Sequence, residues 1–577
     1  MRGRGHAWCR LQGVSMISLG SGLDRLASFA SASHRRACLL LVLLSLAAFL
    51  PGFAGLQPFD RDEPRFAQAS KQMLETRDFV DIRFQDEARH KKPVGIYWLQ
   101  AASVAAGEAL GVPQARTTMW LYRLPSLIGA IATVLLTYWA LLAFVGARLA
   151  LLGGALMAAC VLLGVEARFA KTDALLAACA VATMGALARA WLDWTRSLAF
   201  VPSRWNWLVF WSATALGLLL KGPIVPMVWG LATLVLAIRE RSLRWFAPLR
   251  PGFGLLLCLI VVLPWFVAIA IKTGGDFFAE SVGKDMLAKV GEGQEKHWGP
   301  PGLYLLLFFG TYWPSAALAS MAIPFAWVKR REPQILFLLA WIVPSWIVFE
   351  AVPTKLPHYV LPLYPAITAL LLLALVNGGI NRLRRGADLT AFLIVAVPAA
   401  LVGVLLYGTW TLDRTLPWLA LPVLALALVV AFRSFLAYRE GAFEGALWRG
   451  VVASLLLGAG VYGLAAPSLR GLKLSPRLAE AVQAVSCPNP EVMTVGYREP
   501  SLVFLVGTNL RMGADGSAAA AFLREPGCRV ALVESRFLDG FRQGLAASGA
   551  TPRLLTTIAG FNLNGGKRLE MSVYVRE

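Results

Sequence analysis

Charged residues are scarce in this chain. Asp, Glu, Lys and Arg make up 15% of its 577 residues, whereas about 25% is usual for a soluble domain. Apolar stretches recur from residue 37 to residue 466, and a single soluble core stops growing near ~250–300 residues. A bilayer accommodates such stretches, because each spanning helix takes about 20 apolar residues. The composition therefore excludes one large soluble domain and predicts a polytopic α-helical membrane protein.

Several common site motifs are also missing. The sequence has no Walker A pattern and no GxGxxG motif, so nothing in it indicates a nucleotide site. No CxxC or Cys/His spacing indicates a zinc finger, and Cys38, Cys160, Cys179 and Cys258 lie within apolar segments. The net charge of +21 would suit nucleic acid, but the basic residues form short clusters between hydrophobic segments. We therefore expect no nucleic-acid partner.

What the chain does contain is a series of about thirteen hydrophobic stretches of the membrane-spanning kind. They cover residues 37–56, 123–145, 148–165, 172–192, 206–220, 223–238, 253–271, 301–327, 334–350, 358–376, 389–408, 417–437 and 448–466. The first is predicted to be an uncleaved signal anchor, because no A-x-A site precedes the next polar segment. The shorter apolar segment 94–112 is predicted to be a helix lying along the membrane surface.

Arginine and lysine are concentrated in every second loop. The basic regions are the N-terminal tail and the loops around 146–149, 189–204, 239–250, 329–331, 382–385 and 433–449. Because cytoplasmic loops carry the excess of Lys and Arg, the pattern predicts a cytoplasmic tail over 1–36. The membrane domain then covers 37–466 and includes an external loop at 57–122. The C-terminal region, 467–577, is placed outside.

Residues 467–577 are polar enough to form a small soluble α/β domain. Strands are predicted at 491–496, 501–506, 529–533 and 569–575, and helices at 476–486, 516–524 and 536–548. Cys487 and Cys528 lie in this domain, and an external compartment is oxidising. We therefore predict a disulfide between them, with a nominal stabilisation of about 4 kcal/mol for a closed loop of about 40 residues.

Six polar clusters all fall in predicted external loops, whereas the inner loops hold almost only arginine. The clusters lie at 60–65, 89–98, 168–173, 221–223, 284–297 and 353–359. This asymmetry indicates one composite external site with an excess of cations. Such a site suits an anionic ligand, for example a phosphate carried by a lipid.

Each cluster also has a purely structural explanation. Pro64 fits the first turn of a helix, and Lys92 fits a lysine that snorkels beside an aromatic belt. Asp173 favours a helix N-terminus, although an acid near the membrane is costly and usually has a partner. Lys221 can end a helix or bind a lipid phosphate.

The order of these motifs resembles the start of the lipid-carrier-dependent glycosyltransferases of the GT-C superfamily. It is most similar to the bacterial branch that contains the lipid A aminoarabinose transferase and is related to protein O-mannosyltransferases. The resemblance covers residues 37–370. It rests on Asp62-Glu63-x-Arg65, Lys92-Pro93, Tyr97-Trp98-Leu99, Arg123-Leu124-Pro125-Ser126, Asp173-Ala174-Leu175-Leu176, Lys221-Gly222-Pro223, His297-x-x-Pro300 and Lys355-Leu356-Pro357-x-Tyr359.

The resemblance implies an enzyme of the bacterial inner membrane. It would transfer a sugar from a polyprenyl-phosphate donor to a periplasmic acceptor. Lipid A, lipopolysaccharide, another glycan and a protein all remain open as the acceptor. By analogy Asp62 is the catalytic carboxylate, as general base or by positioning the acceptor, and Asp173 assists it. The implied substrate-binding residues are Glu63, Arg65, Lys92, Tyr97, Lys221, His297, Lys355 and Tyr359.

A divalent metal is implied for some members of this family. They carry an acid just before the lysine of the Lys-Pro motif and a histidine in the later loop. Here Lys91 replaces that acid while His297 remains. The resemblance therefore leaves a metal at His297 open and does not require one.

Two other classes of function remain as alternatives. A transporter or lipid flippase would show two related halves and polar or broken helices near mid-membrane, and the sequence shows neither. A non-catalytic envelope assembly protein would use the C-terminal domain to bind a partner.

Overall fold

The computed structural model describes residues 19–58, 61–196, 203–281, 283, 298–547 and 551–576. A large helical domain is followed by a small domain with a central β-sheet, so the predicted fold class is confirmed. The chain is a multi-pass membrane protein.

Eight helices in these described ranges are long and apolar enough to cross a membrane. They are Met119–Leu141, Asp173–Trp194, Pro251–Thr273, Pro333–Ala351, Pro357–Val376, Ala387–Asp413, Leu421–Arg439 and Phe443–Ser468. The remaining predicted spans coincide with shorter helices. These are His34–Phe49, Ala147–Ala158 with Val161–Glu166, Asn206–Lys221, Ile224–Glu240, and Leu303–Thr311 with Ala316–Met321 and Ile323–Val328.

Helix Asp173–Trp194 lies in the middle of the helical domain. All residues of its most apolar stretch are buried (100%), whereas only 22% of the residues in the most apolar stretch of Pro251–Thr273 are. Small residues make the close packing possible: a Cβ on Gly129 would lie 2.7 Å from the backbone nitrogen of Leu175. This packing fixes the start of the helix, where Asp173 stands.

The first loop is folded rather than extended. It contains helix Asp62–Thr76, a pair of two-residue strands and helix Gly95–Ala109. The second helix lies within the segment 94–112, where a helix along the membrane surface was predicted, and it packs on Asp62–Thr76, on Met119–Leu141 and on Asn206–Lys221. The paired strands are Arg83–Phe84 and Glu87–Ala88. A further helix, Leu19–Ser31, precedes the first predicted span.

The C-terminal domain has a five-stranded mixed sheet. Its strand order is Arg511–Gly513, Glu491–Val495, Arg529–Glu534, Lys567–Arg576 and Arg553–Asn562. The first three run parallel and the last two pair antiparallel. Its helices are Leu474–Gln483, Pro500–Val506, Gly516–Phe522 and Leu538–Ala546.

One predicted strand of this domain is wrong. Residues 501–506 form the helix Pro500–Val506, with Pro500 in its first turn. Proline suits that position because its missing N–H would be unpaired there anyway. A short apolar run fits a strand or a buried helix equally well, so its periodicity could not decide between them.

Cys487 and Cys528 form a disulfide with their Cα atoms 5.9 Å apart. The bond lies at one end of two adjacent parallel strands, Glu491–Val495 and Arg529–Glu534. It therefore joins the segments that lead into both strands.

Candidate active site

A cavity of about 450 Å³ lies between the first loop and the ends of several helices. Its polar lining comes from Lys91, Lys92, Asp173, Lys221, Ser281, His358 and Tyr359. The rest of the lining is mainly apolar, from Leu176, Leu218, Ile224, Met227, Phe266, Phe277, Phe278, Val348, Phe349 and Val352. A ligand with a long apolar part and an anionic head would match this division.

Asp173 and Lys221 meet at one side of the cavity. Lys221 Nζ lies 2.5 Å from Asp173 Oδ1 and 4.9 Å from the centre of the Tyr359 ring. Asp173 begins helix Asp173–Trp194 and Lys221 ends helix Asn206–Lys221, and the two charges suit those helix ends. The structure thus brings together Asp173, Lys221 and Tyr359, which the sequence placed in three separate loops.

Glu166 and His358 complete this cluster, and the sequence did not identify them as site residues. His358 Nε2 lies 3.7 Å from Asp173 Oδ2, and His358 Nδ1 lies 3.5 Å from Glu166 Oε1. Lys171 Nζ is 3.9 Å from the same Glu166 oxygen. A signal was present, because Glu166 is an acid at the edge of an apolar span and such acids usually mark a site.

The donor atoms of Glu166, Asp173 and His358 all lie within 4.8 Å of one another. Two carboxylates and an imidazole could hold a metal ion. However, Lys221 and Lys171 already contact Asp173 and Glu166, so two ammonium groups supply positive charge to the cluster.

Asp62 is the first residue of helix Asp62–Thr76, and its side chain is 47% exposed. Arg65 Nη1 and Arg89 Nη2 approach Asp62 Oδ1 to 3.9 and 3.8 Å. Partial burial raises the pKa of Asp62, but Arg89, Lys171, Arg65 and Lys92 together outweigh it and hold the pKa below its usual value. Asp62 therefore stays ionised beside the lysine-rimmed cavity, although it does not line that cavity.

Glu63, which was predicted to bind substrate, lies in a buried ion pair. Glu63 and Arg123 form a double hydrogen bond, with Nε–Oε1 2.7 Å and Nη2–Oε2 3.0 Å, and neither side chain is exposed. The Ala170 amide also donates to Glu63 Oε1 at 3.0 Å. Arg123 in addition donates to the carbonyl oxygens of Phe53 and Gln57. Glu63 thus ties the first loop to helix Met119–Leu141 and to the turn that precedes helix Asp173–Trp194.

Tyr97 and Lys355 also lie away from the cavity. Tyr97 is fully buried, with its ring centre 5.3 Å from that of Phe66. Lys355 Nζ donates to the carbonyl oxygens of Glu350 and Val352 at 2.7 and 2.9 Å. Neither side chain is among those that line the cavity. His297 lies outside the described residues.

The fold is similar to that of a crystallised protein, ArnT from Cupriavidus metallidurans bound to undecaprenyl phosphate, with a TM-score of 0.70 at 18% identity. The match covers 92% of this chain and 97% of that chain. The apo state of the same protein gives a TM-score of 0.69, covering 93% and 97%.

Sequence comparison points to the same kind of protein. The chain is similar to proteins named undecaprenyl phosphate-alpha-4-amino-4-deoxy-L-arabinose arabinosyl transferase. The relative from Erwinia tasmaniensis is 26% identical over 359 residues, and one from Pseudomonas aeruginosa is 28% identical over 362 residues. These matches cover 61% of this chain and 62% and 61% of the two relatives, so the chain spans under two thirds of their length. No protein-family model matches the chain. The resemblance seen in the sequence motifs is confirmed.

Proposed function

We propose that this protein is a glycosyltransferase that moves a sugar from a polyprenyl-phosphate donor to an acceptor at the periplasmic face of a bacterial inner membrane. The observation that carries this proposal is the cavity with an apolar wall and three lysines, Lys91, Lys92 and Lys221. Prenyl carbons would lie against the apolar wall, and the phosphate would lie among the ammonium groups. The names of the relatives support the same donor class.

The lysines would act on the leaving group. In the transfer, an acceptor oxygen forms a bond to the anomeric carbon while the bond from that carbon to the phosphate oxygen breaks. The carrier phosphate keeps the electron pair of the broken bond and gains one negative charge. Lys92 and Lys221 line the cavity where this charge would develop, and fixed cations at that place lower the barrier.

Asp62 would orient the acceptor. Its lowered pKa makes it a weak base, since general bases work best with a pKa near the operating pH. A carboxylate that stays ionised can accept a hydrogen bond from an acceptor hydroxyl and take its proton as the new bond forms. If the acceptor oxygen belongs to a phosphate, no proton has to be removed. Arg65 and Arg89, next to Asp62, would then contact that anion.

Asp173 would set the position of Lys221. The 2.5 Å contact holds the ammonium group at the cavity wall, where it lies 4.9 Å from the centre of the Tyr359 ring. We propose that Glu166, His358 and Lys171 balance the charge of this pair without a resident metal, because Lys221 and Lys171 already neutralise the two carboxylates. A chelator would then leave the rate of transfer unchanged.

The experiment is a transfer assay with the purified full-length protein in lipid nanodiscs. The donor is undecaprenyl-phosphate-linked aminoarabinose, followed by a panel of other polyprenyl-phosphate sugars, and the acceptors are envelope lipids from a deletion strain. Mass spectrometry of the products reports both sugar and acceptor. Transfer from one of these donors supports the proposal. Wild-type protein that binds the donors but transfers from none of them would favour a flippase or an assembly protein.

A further inference from the structure

The C-terminal domain holds the residue that precedes Asp62. Arg61 donates from Nε to Glu499 Oε2 at 3.3 Å and from Nη2 to Glu499 Oε1 at 3.2 Å. Glu499 is itself almost fully buried and accepts a hydrogen bond of 2.8 Å from Asn564 Nδ2. A two-point contact between a guanidinium and a carboxylate restricts orientation as well as distance. The backbone that leads into Asp62 is therefore attached to the C-terminal domain.

A second set of contacts lies further along the same helix. Gln68 Nε2 donates to Thr508 Oγ1 at 2.7 Å, and Thr508 Oγ1 donates to Glu75 Oε2 at 2.7 Å. Lys71 Nζ donates to the Phe504 carbonyl oxygen at 3.2 Å. Gln68 is fully buried and Lys71 nearly so, which makes these contacts costly to break. The helix is thus held by the C-terminal domain along much of its length.

Apolar packing joins the same two parts of the molecule. Helix Pro500–Val506 packs directly on helix Asp62–Thr76. The Phe504 ring is fully buried and meets Tyr122 edge to face, with ring centres 5.2 Å apart. It belongs to a small hydrophobic cluster with Ala67 of the first-loop helix. A side chain of the C-terminal domain therefore forms part of the core beneath the Asp62 helix.

We infer that the C-terminal domain is a positioning element for the candidate active site. Through Glu499 and Arg61 it sets the direction of the first turn of helix Asp62–Thr76, and so the place of the Asp62 carboxylate. Arg61 and Glu499 are positioning residues in this account, because they act through Asp62. The inference rests on the proposed function for its catalytic part, whereas the attachment itself can be tested without any substrate.

The test uses charge reversal in the full-length protein. The variants are Arg61→Glu, Glu499→Arg and the double variant with both changes. Each single reversal should reduce turnover by about tenfold or more, since small misplacements of a reacting group cost up to about 100-fold. The KM for the donor should stay near wild type, because the lysine-rimmed cavity is untouched. The double variant should regain most of the turnover, because the exchanged charges can pair again. A defect confined to either site alone would not be rescued in this way. Arg61→Gln, a milder change at a half-exposed site, should give an intermediate loss.

A matched control and a second measurement complete the design. Arg542→Glu reverses an arginine that is 68% exposed on helix Leu538–Ala546, and it should leave turnover unchanged. Hydrogen–deuterium exchange of residues 62–76 should be faster in both single reversals and slow again in the double variant.

The outcomes separate the two proposals. The inference is overturned if the single reversals keep wild-type turnover, whether or not their hydrogen–deuterium exchange changes. It is also overturned if the double variant regains no turnover. If the wild-type protein transfers no sugar, the proposed function fails, and unchanged exchange would then overturn the attachment independently.

Discussion

Glu63 and Arg123 form a two-point ion pair in which neither side chain has exposed surface. The pair lies one residue from Asp62 and connects the first loop to helix Met119–Leu141. Removing one partner of a buried pair leaves an uncompensated charge, which costs about 3–5 kcal/mol. We expect Glu63→Gln and Arg123→Gln each to lower the thermal unfolding temperature strongly.

Thermal unfolding in detergent micelles checks this prediction, with Arg116→Gln as the control. Arg116 also pairs with a glutamate, but on the surface, where such a pair contributes at most ~1 kcal/mol. Equal small effects at Arg123 and Arg116 would contradict the structural role given to Glu63.

Lys221 and Lys355 were both predicted to bind the donor, and the structure separates them. Lys221 lines the cavity, whereas Lys355 is held by two backbone carbonyls. We expect Lys221→Met to reduce transfer by about 100-fold or more and to weaken binding of polyprenyl phosphate. Lys355→Met should reduce stability by about 1–3 kcal/mol, because it removes the partner of two partly buried carbonyl oxygens.

Steady-state kinetics and unfolding of the two variants provide the comparison. Lys221→Arg keeps the charge and should retain part of the donor affinity. The account is contradicted if Lys355→Met loses donor binding while Lys221→Met keeps it.

The pKa of Asp62 gives a prediction for pH. Because the folded-state pKa is depressed, the stabilisation from its ion pairs is present above the unfolded pKa of about 3.9 and is lost as pH falls through the lower folded value. Asp62 should therefore stay ionised between about pH 5 and 8, so its protonation should cause no loss of transfer in that range. Arg89→Gln removes a positive charge that stabilises the ionised Asp62 carboxylate. The pKa of Asp62 should therefore rise, and the acid limb of the pH–rate profile should move to higher pH.

A pH–rate profile of the Arg89→Gln variant measures this shift. Arg83→Gln is the control in the same loop, since Arg83 pairs with Asp81 and not with Asp62. An acid limb that stays in place in Arg89→Gln would show that Asp62 does not carry the titration.

The disulfide between Cys487 and Cys528 should stabilise the C-terminal domain. Closing a loop of about 40 residues contributes up to about 4 kcal/mol in the chain-entropy model. Peptide mapping under non-reducing conditions should recover the two cysteines in one cross-linked peptide, and Cys487→Ser should lower the unfolding temperature. Free thiols at both positions in protein purified without reductant would contradict the pairing.

The membrane helices were predictable because each depends on a long apolar run, which the bilayer requires whatever its neighbours are. Asp173, Lys221 and Tyr359 were predicted as site residues from three separate loops, and only the folded chain shows that they meet. The backbone contacts of Lys355 were not predictable, because a lysine in a short polar turn has the same sequence pattern whether its ammonium faces a ligand or backbone carbonyls. Glu166 was missed because its partner His358 is distant in sequence.

The attachment of the C-terminal domain to the Asp62 helix could not have been predicted. Glu499 and Arg61 are separated by most of the chain, and nothing local in either segment indicates the other. Pro500–Val506 also looked like a strand, whereas its helical form is what packs on the first-loop helix.

The central claim is that Asp62 supports sugar transfer from a polyprenyl-phosphate donor. The most direct test compares wild-type protein with Asp62→Asn, a nearly isosteric change at a half-exposed site, in the same nanodisc transfer assay. The account predicts that Asp62→Asn folds normally, binds polyprenyl phosphate with wild-type affinity and transfers no detectable sugar. Wild-type transfer by the Asp62→Asn protein would contradict it.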